Sequence, residues 1–204
     1  MADRPTLRQY LDRRLAALRA ERSSWWSTWK DLSTYVLPRR GRFDASPNQS
    51  NRGSVKTNHI LDPAATLAAR ALASGMMAAV TSPARPWFRL TLGDATLADT
   101  SPVKRWLDEA VRRMQRVLAQ SNVYNALHVS YEEVGVFGTA VLMLEEDPVA
   151  VIRAHTLTVG EYMLANNHRL QADILFREFM MTIDQLVGRF GLDAVSDTVA
   201  GLYR

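Results

Sequence analysis

The residues best suited to chemistry are four histidines, two adjacent acid pairs and a dense set of arginines. His59, His128, His155 and His168 are scattered, and none stands at a metal-binding spacing such as HExxH. His59 and His168 lie in turn-like sequence, where solvated rings are expected. Glu132-Glu133 and Glu145-Glu146 are adjacent, so their side chains diverge and surface charge is the expected role. There is no GxxxxGK or GxGxxG pattern and no serine in a nucleophile elbow. The absence of cysteine excludes disulfides and thiolate ligands and fits a reducing compartment. An enzyme is therefore disfavoured, unless a catalytic half lies outside this chain, and no metal or cofactor is expected.

The arginines carry the stronger signal. The 204 residues hold 25 basic and 21 acidic side chains, a formal net charge of +4. Only Lys30, Lys56 and Lys104 are lysine. Arginine suits phosphate and buried ion pairs better than lysine does, although a GC-rich coding sequence enriches it too. Arg39, Arg40, Arg42, Arg52 and Lys56 fall within residues 38–57, against one acid, Asp44. The stretch PRRGRFDASPNQSNRGSVKT is polar and rich in Gly, Pro, Ser and Asn, and loops this long are usually functional or disordered. One reading is contact with nucleic acid or an acidic partner; the other is a solvated connector. A stand-alone basic nucleic-acid-binding module would bind DNA strongly and salt-dependently.

The elements that must position these residues are mostly helical. Leu7, Leu11, Leu15, Leu18, Trp25, Trp29, Leu32 and Val36 follow steps of three and four. They predict one long helix over residues 6–37, interrupted at its seam only by Arg22 and stopped by Pro38. Trp25 and Trp29 lie on its apolar face, where core or subunit packing is favoured over base stacking. Asp62 and Pro63 open a second helix. Its stripe, Ala65, Ala68, Leu72, Met76 and Ala79, predicts a buried core helix. Residues 64–80 are short for a membrane span and contain Arg70, so no span is expected. Ser82-Pro83 ends this helix. After Arg85-Pro86, Trp87, Phe88 and Leu90 begin a strand or docking segment, with Trp87 as an apolar anchor.

Ser101-Pro102 starts a helix whose expected buried face is Val103, Trp106, Ala110, Met114 and Val117. Ser121-Asn122 separates it from another, with stripe Tyr124, Leu127, Tyr131 and Val134, closed by Gly135 and Gly138. From Thr139 the period becomes that of strands: 140–144, a turn at 145–148, and 149–159. A hairpin turning at Asn166-Asn167 follows. Thr182 and Gln185 make a capping box for a short helix, and Asp193 opens a last helix that reads as cut at Arg204. The expected fold is α+β, a long N-terminal helix and helical bundle packed on a small, mainly antiparallel sheet. The expected parts are a helix (1–37), a basic loop (38–57), a helical region (58–137), a β region (138–181) and the start of C-terminal helices (182–204).

The ordered motifs resemble one family. A Trp-rich helix ends in Tyr35-x-x-Pro38 and Gly41-x-Phe43, followed by Ile60-x-Asp62 and Leu72-Ala73-Ser74-Gly75-Met76. Ser82-Pro83-x-x-Pro86-Trp87-Phe88, Ser121-Asn122-x-Tyr124 and Phe137-Gly138-Thr139-Ala140 come next, before Glu145-Glu146-Asp147. Arg177-x-Phe179-Met180-Met181-Thr182 and Phe190-Gly191 close the series. The set resembles the head-to-tail connector, or portal, family of short-tailed double-stranded DNA phages. That resemblance implies a wing-like N-terminal part of a longer polypeptide, truncated here at its C-terminus. It further implies a dodecameric ring at one capsid vertex through which double-stranded DNA is packaged and ejected. The implied partners are other copies of the chain, terminase, capsid or scaffold protein and tail proteins. The implied locations are the virion and, during assembly, the host cytoplasm. No catalytic residue is carried over.

Overall fold

The computed structural model describes residues 6–43 and 55–203. Helix α1 (Leu7–Tyr35) opens with a capping box: the Thr6 hydroxyl accepts from the Gln9 amide, and the Gln9 side chain accepts from the Thr6 amide. Its 29 residues span about 44 Å. The C-terminal half of α1 carries the main core. Trp29 and Leu37 pack with Ala69, Phe137 and Val159, flanked by Trp26, Leu32, Val36 and Phe43. Arg22 does not break this seam. Its guanidinium lies 4.9 Å from the ring centroids of both Trp29 and Tyr162 and donates to the Tyr162 carbonyl. Cation–π contact and a main-chain bond thereby fasten α1 to the first strand of the second hairpin.

Helix α2 (Ala64–Val80) packs along α5 (Val123–Phe137). The Asp62 carboxylate accepts from the Ala64 amide at 2.9 Å, so it serves the first turn although Pro63 takes the cap position. The expected burial of α2 is corrected: only Ala69 and Ala73 are buried, Leu72 is half-exposed with its end against Gly135 of α5, and most of the predicted stripe is exposed. A one-residue offset from the predicted stripe recurs in α4, in the same direction, and in α5, in the opposite one. The buried line of α5 is Val123, Ala126, Ser130, Glu133 and Phe137, one residue before the predicted stripe. In α4 (Ser101–Gln120) Leu107 is buried and Trp106 is 65% exposed. A four-residue helix, α3 (Ala95–Ala98), precedes α4. Gly138, at φ +75°, closes α5, whereas Gly135 lies inside it.

The β part is two separate antiparallel hairpins, not one sheet. Strands β1 (Val141–Asp147) and β2 (Val151–Leu157) run in register from Val141–Leu157 to Asp147–Val151. The predicted turn at 145–148 is thus strand as far as Asp147, whose carboxylate then accepts from the amides of Val149 and Ala150. These amides hold the Asp147 carboxyl below the usual carboxylate range, with help from Arg153. A second core joins Val123 and Ala126 of α5 to Ala154, Leu142 and Ile152. Strands β3 (Tyr162–Asn166) and β4 (Ala172–Arg177) form the other hairpin. Its connection is longer than the expected Asn166-Asn167 turn: Asn167 accepts from the Arg169 and Gln171 amides, and Leu170 takes φ +60°. Helix α6 (Ile183–Phe190) has the predicted Thr182–Gln185 capping box. A 3-10 turn (Leu192–Ala194) and α7 (Asp197–Tyr203) follow. Among the described residues no helix is long and apolar enough to cross a membrane.

Candidate functional site

After α1 the chain turns back as a strap. The Ser33 hydroxyl donates to the Arg40 carbonyl, the Gly41 amide donates to Thr158 Oγ1 at 2.7 Å, and the Arg42 amide donates to the Val159 carbonyl at 3.0 Å. Gly160 makes this approach possible. It takes φ +90°, and a Cβ there would stand 2.5 Å from the Arg42 oxygen.

The strap delivers arginines to two buried carboxylates. Glu133 of α5 is wholly buried; its Oε1 accepts from Arg40 Nε and, at 2.9 Å, from Thr158 Oγ1. Burial pushes the Glu133 carboxyl up, against the pull of Arg40 and Thr158. Glu161, also buried, lies between β2 and β3 and accepts from Arg177 Nε at 2.9 Å. Arg42 Nε stands 3.5 Å from its other oxygen. Arg39, Arg40, Arg42, His155, Glu161 and Arg177 border an open cavity of about 430 Å³. Four arginines line it against one acid, Glu161, but Arg40 is paired to the buried Glu133 and both Arg42 and Arg177 to Glu161, so the rim is only weakly cationic. Among the described residues no acid or histidine cluster could hold a metal.

The five basic residues singled out in the sequence do not form one free patch. Arg40 and Arg42 are tied to Glu133 and Glu161. This corrects the surface role expected for Glu133, since a buried carboxylate requires a charged partner; Arg40 stays partly exposed at the cavity. Arg39 is exposed and makes no ion pair among the described residues; Lys56 is exposed where the described chain resumes. Arg52 and Asp44 lie outside the described residues. Sequence reasoning missed Glu133, Thr158, Gly160, Glu161 and Arg177. The available signal was the 126–130–133–137 spacing, which places Glu133 in line with Ala126 and Phe137.

The aromatic residues divide likewise. Trp29 is buried and its Nε1 donates to the Phe137 carbonyl at 3.1 Å. Trp25 stacks on it with centroids 6.3 Å apart, yet is 60% exposed, so Trp29 alone is the anchor. Pro83 and Pro86 are exposed. Trp87 is 38% exposed, donates to the Tyr124 hydroxyl at 3.2 Å and meets Phe88 edge-on. The expected apolar anchor is a part-exposed surface corner whose indole N–H reaches Tyr124 of α5.

The chain is 48% identical over 198 residues to the probable portal protein of Bordetella phage BPP-1. It is 43% identical over 198 residues to the portal protein of Salmonella phage epsilon15. Each match covers 97% of this chain and 35% of the relative, so the chain spans about a third of those proteins' length. The family described as bacteriophage head to tail connecting protein matches residues 8–204. The ordered motifs from Tyr35-x-x-Pro38 to Phe190-Gly191 thus sit inside a match that spans nearly every described element, and the chain belongs to the bacteriophage head to tail connecting protein family.

Proposed function

We propose that this chain is the N-terminal, wing-like part of a portal subunit, one copy of a ring at a capsid vertex through which double-stranded DNA is packaged and ejected. The observation that carries this reading is the near-complete match of the chain to two phage portal proteins. The physical features agree. Helix α1 leaves Leu7, Tyr10 and Leu11 exposed toward its N-terminal end, an apolar face that a neighbouring copy can cover. The role is structural, without catalysis. The partners are other copies, terminase, capsid or scaffold protein, tail proteins and the DNA itself. The subunit resides in the virion after assembly in the host cytoplasm. The parts assigned from the sequence, helix 1–37, loop 38–57, helical region 58–137, β region 138–181 and C-terminal helices 182–204, describe this wing. Arg39 and Lys56, with Arg52, are the contacts offered to an anionic partner. Electron microscopy of the complete purified polypeptide tests the proposal. Closed rings with each subunit offering different faces to its two neighbours are expected; only monomers or two-fold dimers at micromolar concentration would overturn it.

A further inference from the structure

Residues 86–92, PWFRLTL, are rich in strand-forming types, yet they have no strand partner among the described residues. Among the described residues none of their main-chain groups bonds to another main-chain group. Trp87, Arg89, Leu90, Thr91 and Leu92 are all exposed. Such an exposed row of amides and carbonyls, solvated in the isolated chain, can pair with a further strand edge.

The two hairpins supply candidate partners. Each has two edges, and two of the four are occupied. The free edge of β2 is covered by Asn122, whose side chain bonds both the amide and the carbonyl of Ala154 at 2.8 Å. The free edge of β3 is covered by Arg22 at the Tyr162 carbonyl. The outer edges of β1 and β4 have no strand beside them among the described residues. Charge selects β1. It carries Glu145, whose own-chain contacts to His155 and Arg189 are long at 3.8 and 3.9 Å, and Glu146, whereas β4 carries one acid, Asp173, and its own Arg177. The orphan segment carries Arg89, with Arg85 just before it.

We propose that residues 86–92 add as an antiparallel strand to the outer edge of β1 in a second copy of this chain. Arg89 then lies opposite Glu145, Leu90 opposite Leu144 and Leu92 opposite Leu142. In this register the apolar pairs share the face on which Leu142 packs against α5, and the ion pair falls on the other face. Phe88 falls opposite Glu146 in this register, whereas a parallel arrangement with Arg89 opposite Glu145 would set Leu90 there and lose both Leu–Leu pairs. Main-chain bonds give the contact its strength and the alternating pairs its register. The contact is heterologous, since segment and edge are different surfaces, and so propagates around a ring. The proposal rests on the ring reading above.

The 204 residues contain no cysteine, so paired cysteines report this contact cleanly once any others in the complete polypeptide are replaced. Rings of Leu90→Cys/Leu144→Cys, oxidised and run on a denaturing gel, should give a ladder of covalent multimers. Each single variant should stay monomeric, and a mixture of the two singles should stop at dimers. In a second arm, Arg89→Glu should raise the concentration needed for assembly by about tenfold, and adding Glu145→Arg should restore it. Normal rings whose double-cysteine subunits stay monomeric or close within one chain would overturn the proposal. A ladder from Leu90→Cys/Leu175→Cys instead, or no restoration by the charge swap, would also overturn it. Absence of rings in the unmodified protein would instead overturn the portal reading.

Discussion

Glu133 shows how one residue ties the strap to the body. Its side chain is fully buried, Oε1 holds Arg40 and Thr158, and Oε2 has no hydrogen-bond partner among the described residues. A carboxyl raised by burial binds its proton more tightly folded than unfolded, so its contribution favours folding at low pH and is lost as pH rises through the folded value. Arg40 offsets that loss. Arg40→Ala leaves the charge uncompensated and should cost about 3–5 kcal/mol near neutral pH. The penalty should shrink in acid, where Glu133 takes up a proton. Thermal unfolding at about pH 5 and about pH 8 checks this; equal destabilisation at both would refute the ion-pair account. A second contrast concerns the tryptophans. Trp29→Ala, in the core, should cost the full 3–5 kcal/mol or so of a buried aromatic. Trp87→Ala, at a part-exposed corner, should cost well under that, and matching losses in chemical denaturation would contradict the assigned burial.

Elements are held in place by two glycines with opposite expected responses. Gly160→Ala puts a methyl against the Arg42 carbonyl in a left-handed conformation, so the strap must lift. A loss of about 1–3 kcal/mol is expected. At Gly135, inside α5, an added Cβ meets only Leu72 Cδ2, at 2.8 Å, the end of a flexible side chain. Better helix propensity offsets that contact, so Gly135→Ala should fall within about 1 kcal/mol of neutral. Denaturation midpoints of both variants decide the matter, and a larger loss at Gly135 would reverse the account. Most elements were legible in sequence: the α1 seam, the Thr182–Gln185 box and the switch from helical to strand period at Thr139. Which face of each helix turned inward was less legible. In α2 and α5 smaller or polar residues, Ala69, Ala73, Ser130 and Glu133, are buried while Leu72 and Val134 stay about half-exposed, and in α4 Leu107 is buried in place of Trp106. Hydrophobic periodicity assigns the bulkiest residues to the core, an inference that fails where close helix approach selects small side chains and where a larger assembly can cover the outer face. The carboxylates of the site were illegible for a related reason: their partners, Arg40, Thr158 and Arg177, arrive from distant parts of the chain.

For the whole molecule, the question is whether its positive charge makes it a nucleic-acid-binding module in its own right. Several basic side chains already face acids: Arg113 meets Glu109 at 2.9 Å, Lys104 meets Asp99 at 2.6 Å, and Arg40 and Arg42 are tied inside the site. From the basic loop this leaves Arg39 and Lys56, with Arg52 outside the described residues. Each phosphate contact adds about −0.9 to the slope of log affinity against log salt. Three such contacts from the loop predict that it contributes no more than about −3 to the slope on duplex DNA. A stand-alone module making 6–10 contacts would lose roughly 10³–10⁵ in affinity between about 50 and 200 mM salt. Binding to phosphate carries no sequence information, so duplexes of different sequence should bind alike. Replacing Arg39, Arg52 and Lys56 together with Ser should flatten the slope and leave the melting temperature unchanged, since Arg39 and Lys56 are exposed and polar loop positions of this kind carry little stability. Fluorescence anisotropy over a salt series measures this directly. A steep slope that survives the triple substitution would move the DNA contact to another face of the molecule.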